Sequence, residues 1–143
     1  MPDANVVDYE HTIPDILKSM AGVNMKMEAH GFDRTIHHLV QLRASQINRC
    51  GYCVEMHTRE AREDGETGER LDRVIVWDQV DVFTDREKAA LAWTEALTNL
   101  DRHTDRAALR GRLQTLFSAE EIGILTGTVA MINLWNRINI SRH

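Results

Sequence analysis

Long apolar runs and strand-like alternation are scarce in this sequence, and it has no excess of basic charge. No segment approaches the ~20 consecutive apolar residues that a membrane-spanning helix needs, so we expect no membrane contact. Acidic side chains outnumber basic ones and the formal net charge is −5, which argues against nucleic-acid binding. Residues 1–5 lack the basic and then apolar order of a secretory signal, and a cytoplasmic location is therefore expected.

Proline and cysteine are also rare, with two residues of each among 143. Pro14 follows Thr12-Ile13 and suits the first position of a helix, where its missing N–H costs little. Apolar residues at helical spacing and helix-capping side chains then recur along the chain. The length is that of one domain with a real core, to which oligomerisation would add buried surface. We therefore predict a single all-α domain over residues 1–143, a bundle of six or seven helices.

The predicted helices have recognisable starts. They begin near Pro14, Asp33, Cys50, Thr67, Thr84, Thr104 or Asp105, and Ser118. Thr84 and Ser118 each precede a glutamate by three residues, which is the capping-box pattern. Arg43 lies on the apolar stripe of the second helix, where a guanidinium needs glutamates from a neighbouring helix. Residues 122–140 are apolar on nearly all sides, which predicts a central core helix or a subunit interface.

Reactive side chains concentrate in one segment, Cys50-Gly51-Tyr52-Cys53-Val54-Glu55-Met56-His57. On one helix, with ~100° per residue, both cysteines and His57 fall within an arc of about 60°. Apolar residues share that face, so we expect a buried pocket. A thiol near a helix N-terminus is stabilised as thiolate, and His57 lies one turn after Cys53, where it can act as base or cationic partner. A close dithiol that forms its disulfide reversibly carries two electrons.

Simpler interpretations of these residues stay open. The cysteines could be small buried hydrophobic side chains, and His57 could be a structural histidine. A Cys-x-x-Cys pair with a nearby histidine could bind zinc, with His37 and His38 as the candidates to complete the site, although a second Cys-x-x-Cys is absent. The thioredoxin use of the motif needs alternating strands and helices, which this sequence does not supply.

Three segments carry a resemblance to a known family. Residues 39–62, around the cysteine pair, resemble the core of the alkylhydroperoxidase D-like proteins, within the carboxymuconolactone decarboxylase family. Residues 83–98 and 132–139 are similar to the family's next helix and its closing helix. The resemblance extends from Pro14 to the C-terminus. It implies an all-α fold and a homo-oligomer: a trimer, a hexamer or a dimer-based assembly.

The resemblance also implies an activity. Redox members of the family reduce hydroperoxides with the cysteine pair and a histidine, and a dithiol protein or a small dithiol reduces them again. By that likeness Cys53 attacks the peroxide and becomes a sulfenic acid, Cys50 closes the disulfide, and His57 belongs to the proton relay. The helix dipole alone favours Cys50 as nucleophile, because Cys50 lies nearer the helix start. The scheme needs no metal and no flavin.

Two other functions compete with the peroxidase. One is a non-peroxidase thiol–disulfide oxidoreductase, or a redox-responsive or metal-binding oligomeric module with little catalysis. The other is decarboxylation of a lactone acid, which is disfavoured because that branch of the family does not depend on a Cys-x-x-Cys pair.

The sequence departs from the family pattern at His38, where the peroxidases carry a glutamate twelve residues before the first cysteine. A neutral imidazole can pass a proton, but it cannot supply the glutamate's negative charge, and it competes with His57 for positive charge. We therefore expect a peroxidase activity that is weaker, shifted in pH or replaced by another thiol reaction. His38 is either a relay residue or a polar residue on the partly exposed side of its helix.

Overall fold

The computed structural model describes residues 5–142, and the regular structure of this part is entirely helical. Its elements are α1 (Tyr9–Thr12), α2 (Pro14–Ala29), α3 (Arg34–Ile47), α4 (Gly51–Glu63), α5 (Gly68–Arg73), a 3-10 segment (Val74–Gln79), α6 (Asp85–Asn99), α7 (Arg106–Leu116) and α8 (Ala119–Arg142). The all-α prediction is confirmed: the predicted helices are α2 to α8, and the short α1 is an addition. Of the segment inspected for a secretory signal, residues 1–4 lie outside the described part.

Side-chain caps determine where several helices begin. Asp33 accepts a hydrogen bond from the backbone at the start of α3. The capping box of α6 is complete, because Thr84 accepts from the Glu87 N–H at 3.1 Å and the Glu87 carboxylate accepts from the Thr84 N–H at 2.8 Å. Ser118 and Glu121 make the same reciprocal pair before α8. These bonds satisfy backbone N–H groups that the helices leave free. Helix α1 was not predicted, since four residues show no periodicity.

Helix α3 is the central element of the bundle. It packs against α4, α6, α8 and the 3-10 segment. Ile36 and Val40 join a hydrophobic cluster with α6, α7 and α8. Leu39 and Leu42 join a second cluster with α4, α5 and the 3-10 segment. Because α3 contributes to both clusters, it fixes the positions of α4 and α8 relative to each other.

Helix α8 is buried on one face only. That face consists of Leu125, Thr128, Val129, Ile132 and Asn136, while its other apolar side chains are partly exposed in the single chain. The central-helix interpretation is therefore wrong for α8, and that position belongs to α3. The subunit-interface interpretation stays a prediction. Within residues 5–142, no helix combines the length and apolar character that crossing a membrane requires.

Two arginine networks connect α3, the 3-10 segment and α5 to glutamates of α6. Arg43 of α3 donates to Glu95 of α6 at 2.8 Å, which confirms the predicted carboxylate partner, and Trp77 donates to the same carboxylate at 2.8 Å. Arg70 of α5 forms an ion pair with Glu87, whose side chain is buried. The segment between α5 and α6 is thereby held against the bundle.

We expect Arg70→Met to lower the free energy of unfolding by about 2–3 kcal/mol, because it leaves the buried Glu87 carboxylate without its cation. Arg73→Met on the same helix is the matched control. Arg73 pairs with Glu69 at the surface, so its loss should cost less than about 1 kcal/mol. Guanidinium denaturation at one protein concentration measures both values. Equal losses in the two variants would contradict the prediction.

Candidate active site

A tight turn between α3 and α4 places the cysteine pair. Arg49 has a left-handed backbone conformation, with φ of 56°, and the Cys50 N–H bonds back to the Ser45 carbonyl at 3.1 Å. Such a turn closes a helix C-terminus. Cys50 then occupies the N-cap of α4, and its sulfur accepts a hydrogen bond from the Cys53 N–H at 3.3 Å. The first cysteine therefore lies at the positive end of the α4 dipole.

Cys50 and Cys53 are joined as a disulfide within the first turn of α4. Cys50 is 2% exposed and Cys53 is 0% exposed, so the predicted buried location is confirmed. The two cysteines differ in what they face. Cys53 lines a cavity of about 480 Å³, and Cys50 is not among the residues of its wall. The Asn139 side-chain amide of α8 points its nitrogen at the Cys53 sulfur from 3.7 Å.

Three histidines and four carboxylates line the cavity together with Cys53, beside the apolar side chains Met56, Ile132 and Trp135. The histidines are His37, His38 and His57, and the carboxylates are Glu28, Glu60, Glu63 and Asp64. A volume of this size suits a small organic molecule. The structure thus brings Cys53, His57 and His38 to one cavity, with Cys50 directly behind Cys53.

His57 is 4% exposed and is oriented by a carboxylate on its own helix. Its Nδ1 lies 3.2 Å from Glu60 Oε2, and its buried Nε2 has no hydrogen-bond partner among the described residues. A carboxylate only accepts, so the neutral ring carries its proton on Nδ1 and a lone pair on Nε2. Burial lowers the pKa of His57 below its ordinary value, although Glu60 opposes this. At neutral pH His57 is therefore an available base.

His38 is 3% exposed, so its placement on a partly exposed helix side is wrong. Its Nε2 lies 2.6 Å from Asp64 Oδ2, at the C-cap of α4, and Arg34 binds the same carboxylate at 2.7 Å. The bonds from His38 and then Arg34 hold the pKa of Asp64 below its ordinary value. The buried Nδ1 of His38 has no partner in residues 5–142. A carboxylate, that of Asp64, thus lies directly beside position 38.

His37 also lines the cavity, but it is less buried than His38 and His57. It is half-buried, and its ring lies edge-on to His38 with 5.8 Å between centroids. Burial, and then the neighbouring His38 and Arg34, lower the pKa of His37 to about 4, so it is neutral at pH 7. In the described part of the chain, no group of three or more histidine, cysteine or acidic side chains is arranged to hold a metal ion. His37 and His38 do not complete a zinc site with the cysteines there.

Three residues of the site were missed by sequence reasoning. Glu60 could have been predicted, because it lies three residues after His57 on the same helix and residues at that spacing are in contact. Asp64 could not have been predicted, since its contact with His38 exists only after α3 and α4 pack together. Asn139 comes from the far end of the chain, and nothing in its local sequence indicates a contact with Cys53.

The chain matches the carboxymuconolactone decarboxylase family over residues 14–96, from α2 into α6. The uncharacterized protein YdfG of Bacillus subtilis (strain 168) is 32% identical over 135 residues, which cover 94% of this chain and 92% of YdfG.

Solved structures share the fold. ATU0492 from Agrobacterium tumefaciens, described as a protein of unknown function and suggested to be the antioxidant defence protein AhpD, superposes with a TM-score of 0.90 at 32% identity. The match covers 96% of this chain and 94% of that one. The debrominase Bmp8, in its apo form, gives a TM-score of 0.81 at 19% identity over 92% of this chain and 71% of Bmp8. This second likeness is one of fold alone.

Glu60→Gln should lower the pKa of His57 further below its ordinary value, because the variant removes the negative charge that favours the imidazolium. NMR titration of the imidazole nitrogens measures this pKa and also identifies the tautomer, which we expect to be Nδ1–H. Glu63→Gln is the control, since Glu63 lines the same cavity without a bond to His57. A neutral ring protonated on Nε2, or a pKa that rises in Glu60→Gln, would contradict the assignment.

Proposed function

The chain belongs to the carboxymuconolactone decarboxylase family, and from this membership and its cysteine pair we propose that it is a thiol peroxidase that reduces organic hydroperoxides. The observation that carries the proposal is that Cys53 lines the cavity while Cys50 lies behind it. A substrate in the cavity meets only Cys53, which makes Cys53 the nucleophile and Cys50 the resolving thiol. The similarity to ATU0492, for which a role in antioxidant defence has been suggested, supports the proposed peroxidase function.

In the proposed cycle the reduced Cys53 loses its thiol proton to Nε2 of His57. The thiolate attacks the terminal oxygen of the hydroperoxide, the O–O bond breaks, and the alkoxide takes the proton back from His57 to leave as an alcohol. Cys53 is now a sulfenic acid. Cys50 attacks its sulfur, the S–O bond breaks, and the departing hydroxide leaves as water with the Cys50 proton. A dithiol donor then reduces the disulfide and is itself oxidised.

Several contacts support the charge changes of this cycle. The Asn139 amide directs an N–H at the Cys53 sulfur, which favours thiolate over thiol. Glu60 stabilises the His57 imidazolium that forms when the proton is transferred. His38, backed by Asp64, provides a second basic nitrogen in the same cavity. We infer that this histidine–aspartate pair replaces the glutamate of the family pattern.

We also propose that the protein is a homo-oligomer. Helix α2 has no buried residue in the single chain, and Ile16, Met20 and Val23 line a shallow groove on it. A second subunit packed here would bury this groove and also the partly exposed apolar face of α8. Light scattering gives the mass that decides this point, and a monomer at micromolar concentration would contradict it.

Cys53→Ser should abolish peroxide consumption, because no other described thiol reaches the cavity. Cys50→Ser should retain one turnover and accumulate the Cys53 sulfenic acid, which dimedone traps and mass spectrometry locates. We expect the multiple-turnover rate of both variants to fall at least about a thousandfold. Full consumption by Cys53→Ser would refute the nucleophile assignment. Absence of consumption by the native protein would favour the redox-responsive module.

Asp64→Asn should lower the rate constant for Cys53 oxidation by roughly tenfold or more, because His38 loses the carboxylate that orients it. Adding His38→Glu to Asp64→Asn returns a carboxylate to the family position and should recover activity. Glu63→Gln is the control for removal of one cavity charge. Stopped-flow measurement of thiol oxidation across pH gives the rate constant of each of the three variants. If the double variant is no faster than Asp64→Asn, the replacement of the glutamate is refuted.

A further inference from the structure

The cavity in front of Cys53 carries an excess of negative charge. Four carboxylates line it, and the cationic side chain on its wall is Arg34, which is bonded to Asp64. Glu28, Glu60 and Glu63 are then left without a lysine or arginine in the cavity wall. A substrate entering the cavity therefore passes three carboxylates with no balancing cation.

The histidines do not cancel this charge. Burial lowers the pKa of His57, and burial with its neighbours lowers that of His37 to about 4, so both rings are neutral at pH 7. Arg34 and His38 both bond to Asp64, so neither is placed to balance the three glutamates. The negative potential of the cavity is thus a property of its wall near neutral pH.

Two imidazole nitrogens of the same cavity have no hydrogen-bond partner among the described residues. His38 Nδ1 and His57 Nε2 are buried without a partner in residues 5–142, and both side chains are more than nine-tenths buried. Buried polar atoms in proteins nearly always have a partner, so these two nitrogens point to a bound ligand with a polar group that reaches them. A hydroperoxide group is small and polar and can hydrogen-bond to such a nitrogen. Met56, Ile132 and Trp135 offer apolar surface for the organic group.

We propose that the site selects uncharged organic hydroperoxides and rejects those that carry a carboxylate. This inference rests on the proposed peroxidase function. An anionic group entering the cavity loses hydration, meets like charges and finds no free cation to bind. The neutral counterpart meets none of these costs.

The test uses two hydroperoxides that differ only in charge: cumene hydroperoxide with a para-carboxylate, and the methyl ester of the same compound. Stopped-flow oxidation of the reduced protein gives a second-order rate constant for each. At low ionic strength we expect the ester to react about tenfold faster, as three unit charges at cavity distances imply. Added salt should reduce that ratio, since it screens the rim charges.

The double variant Glu28→Gln/Glu63→Gln should bring the ratio close to one, because it removes two of the three unbalanced charges while leaving the bonded Glu60 and Asp64 in place. The matched control is Glu55→Gln/Asp81→Asn, which removes two exposed charges outside the cavity and should keep the ratio.

Equal rates in the native protein, or a faster acid, would overturn the inference. So would a preference for the ester that survives both salt and the double variant, because shape and not charge would then be responsible. If neither hydroperoxide oxidises the dithiol, the proposed peroxidase function fails, and the selectivity inference falls with it.

Discussion

The turn from α3 into α4 is the constraint on which the rest of the site depends. The left-handed residue Arg49 and the bond from Cys50 to Ser45 reverse the chain, so that α4 runs back along α3. In such a helical hairpin, residues at similar distances from the turn face each other. His38 lies twelve residues before Cys50 and Asp64 fourteen after it, and the two meet at 2.6 Å. The same turn thus positions the dithiol at one end of α4 and the His38–Asp64 pair at the other.

Helix starts and helix types were predictable because they depend on local chemistry. The capping boxes at Thr84 and Ser118 formed as the sequence indicated, and Arg43 found the glutamate that its apolar surroundings require. The spacing of Cys50, Cys53 and His57 placed them together for the same reason, since one helix holds all three.

The remaining features depend on packing between helices, which spacing along one element does not reveal. The apolar residues of α8 predicted a central helix or a subunit interface, yet the central place belongs to α3, which packs against α4, α6, α8 and the 3-10 segment. From the sequence, His38 indicates the loss of the negative charge of the family's glutamate. The sequence does not show which residues surround position 38 in the fold. The carboxylate is still in the site, contributed from the end of another helix. The roles of these residues in turnover stay predictions.

One consequence concerns how the state of the dithiol can be observed. Trp135 lines the cavity beside Cys53, and its indole N–H donates to Asn24 at 3.0 Å, which fixes the ring. The other two tryptophans are bonded elsewhere, to Glu95 and to Thr126. Disulfides quench the fluorescence of a nearby indole more strongly than thiols do. We therefore expect the emission of Trp135 to be weaker when Cys50 and Cys53 form the disulfide than when they are reduced.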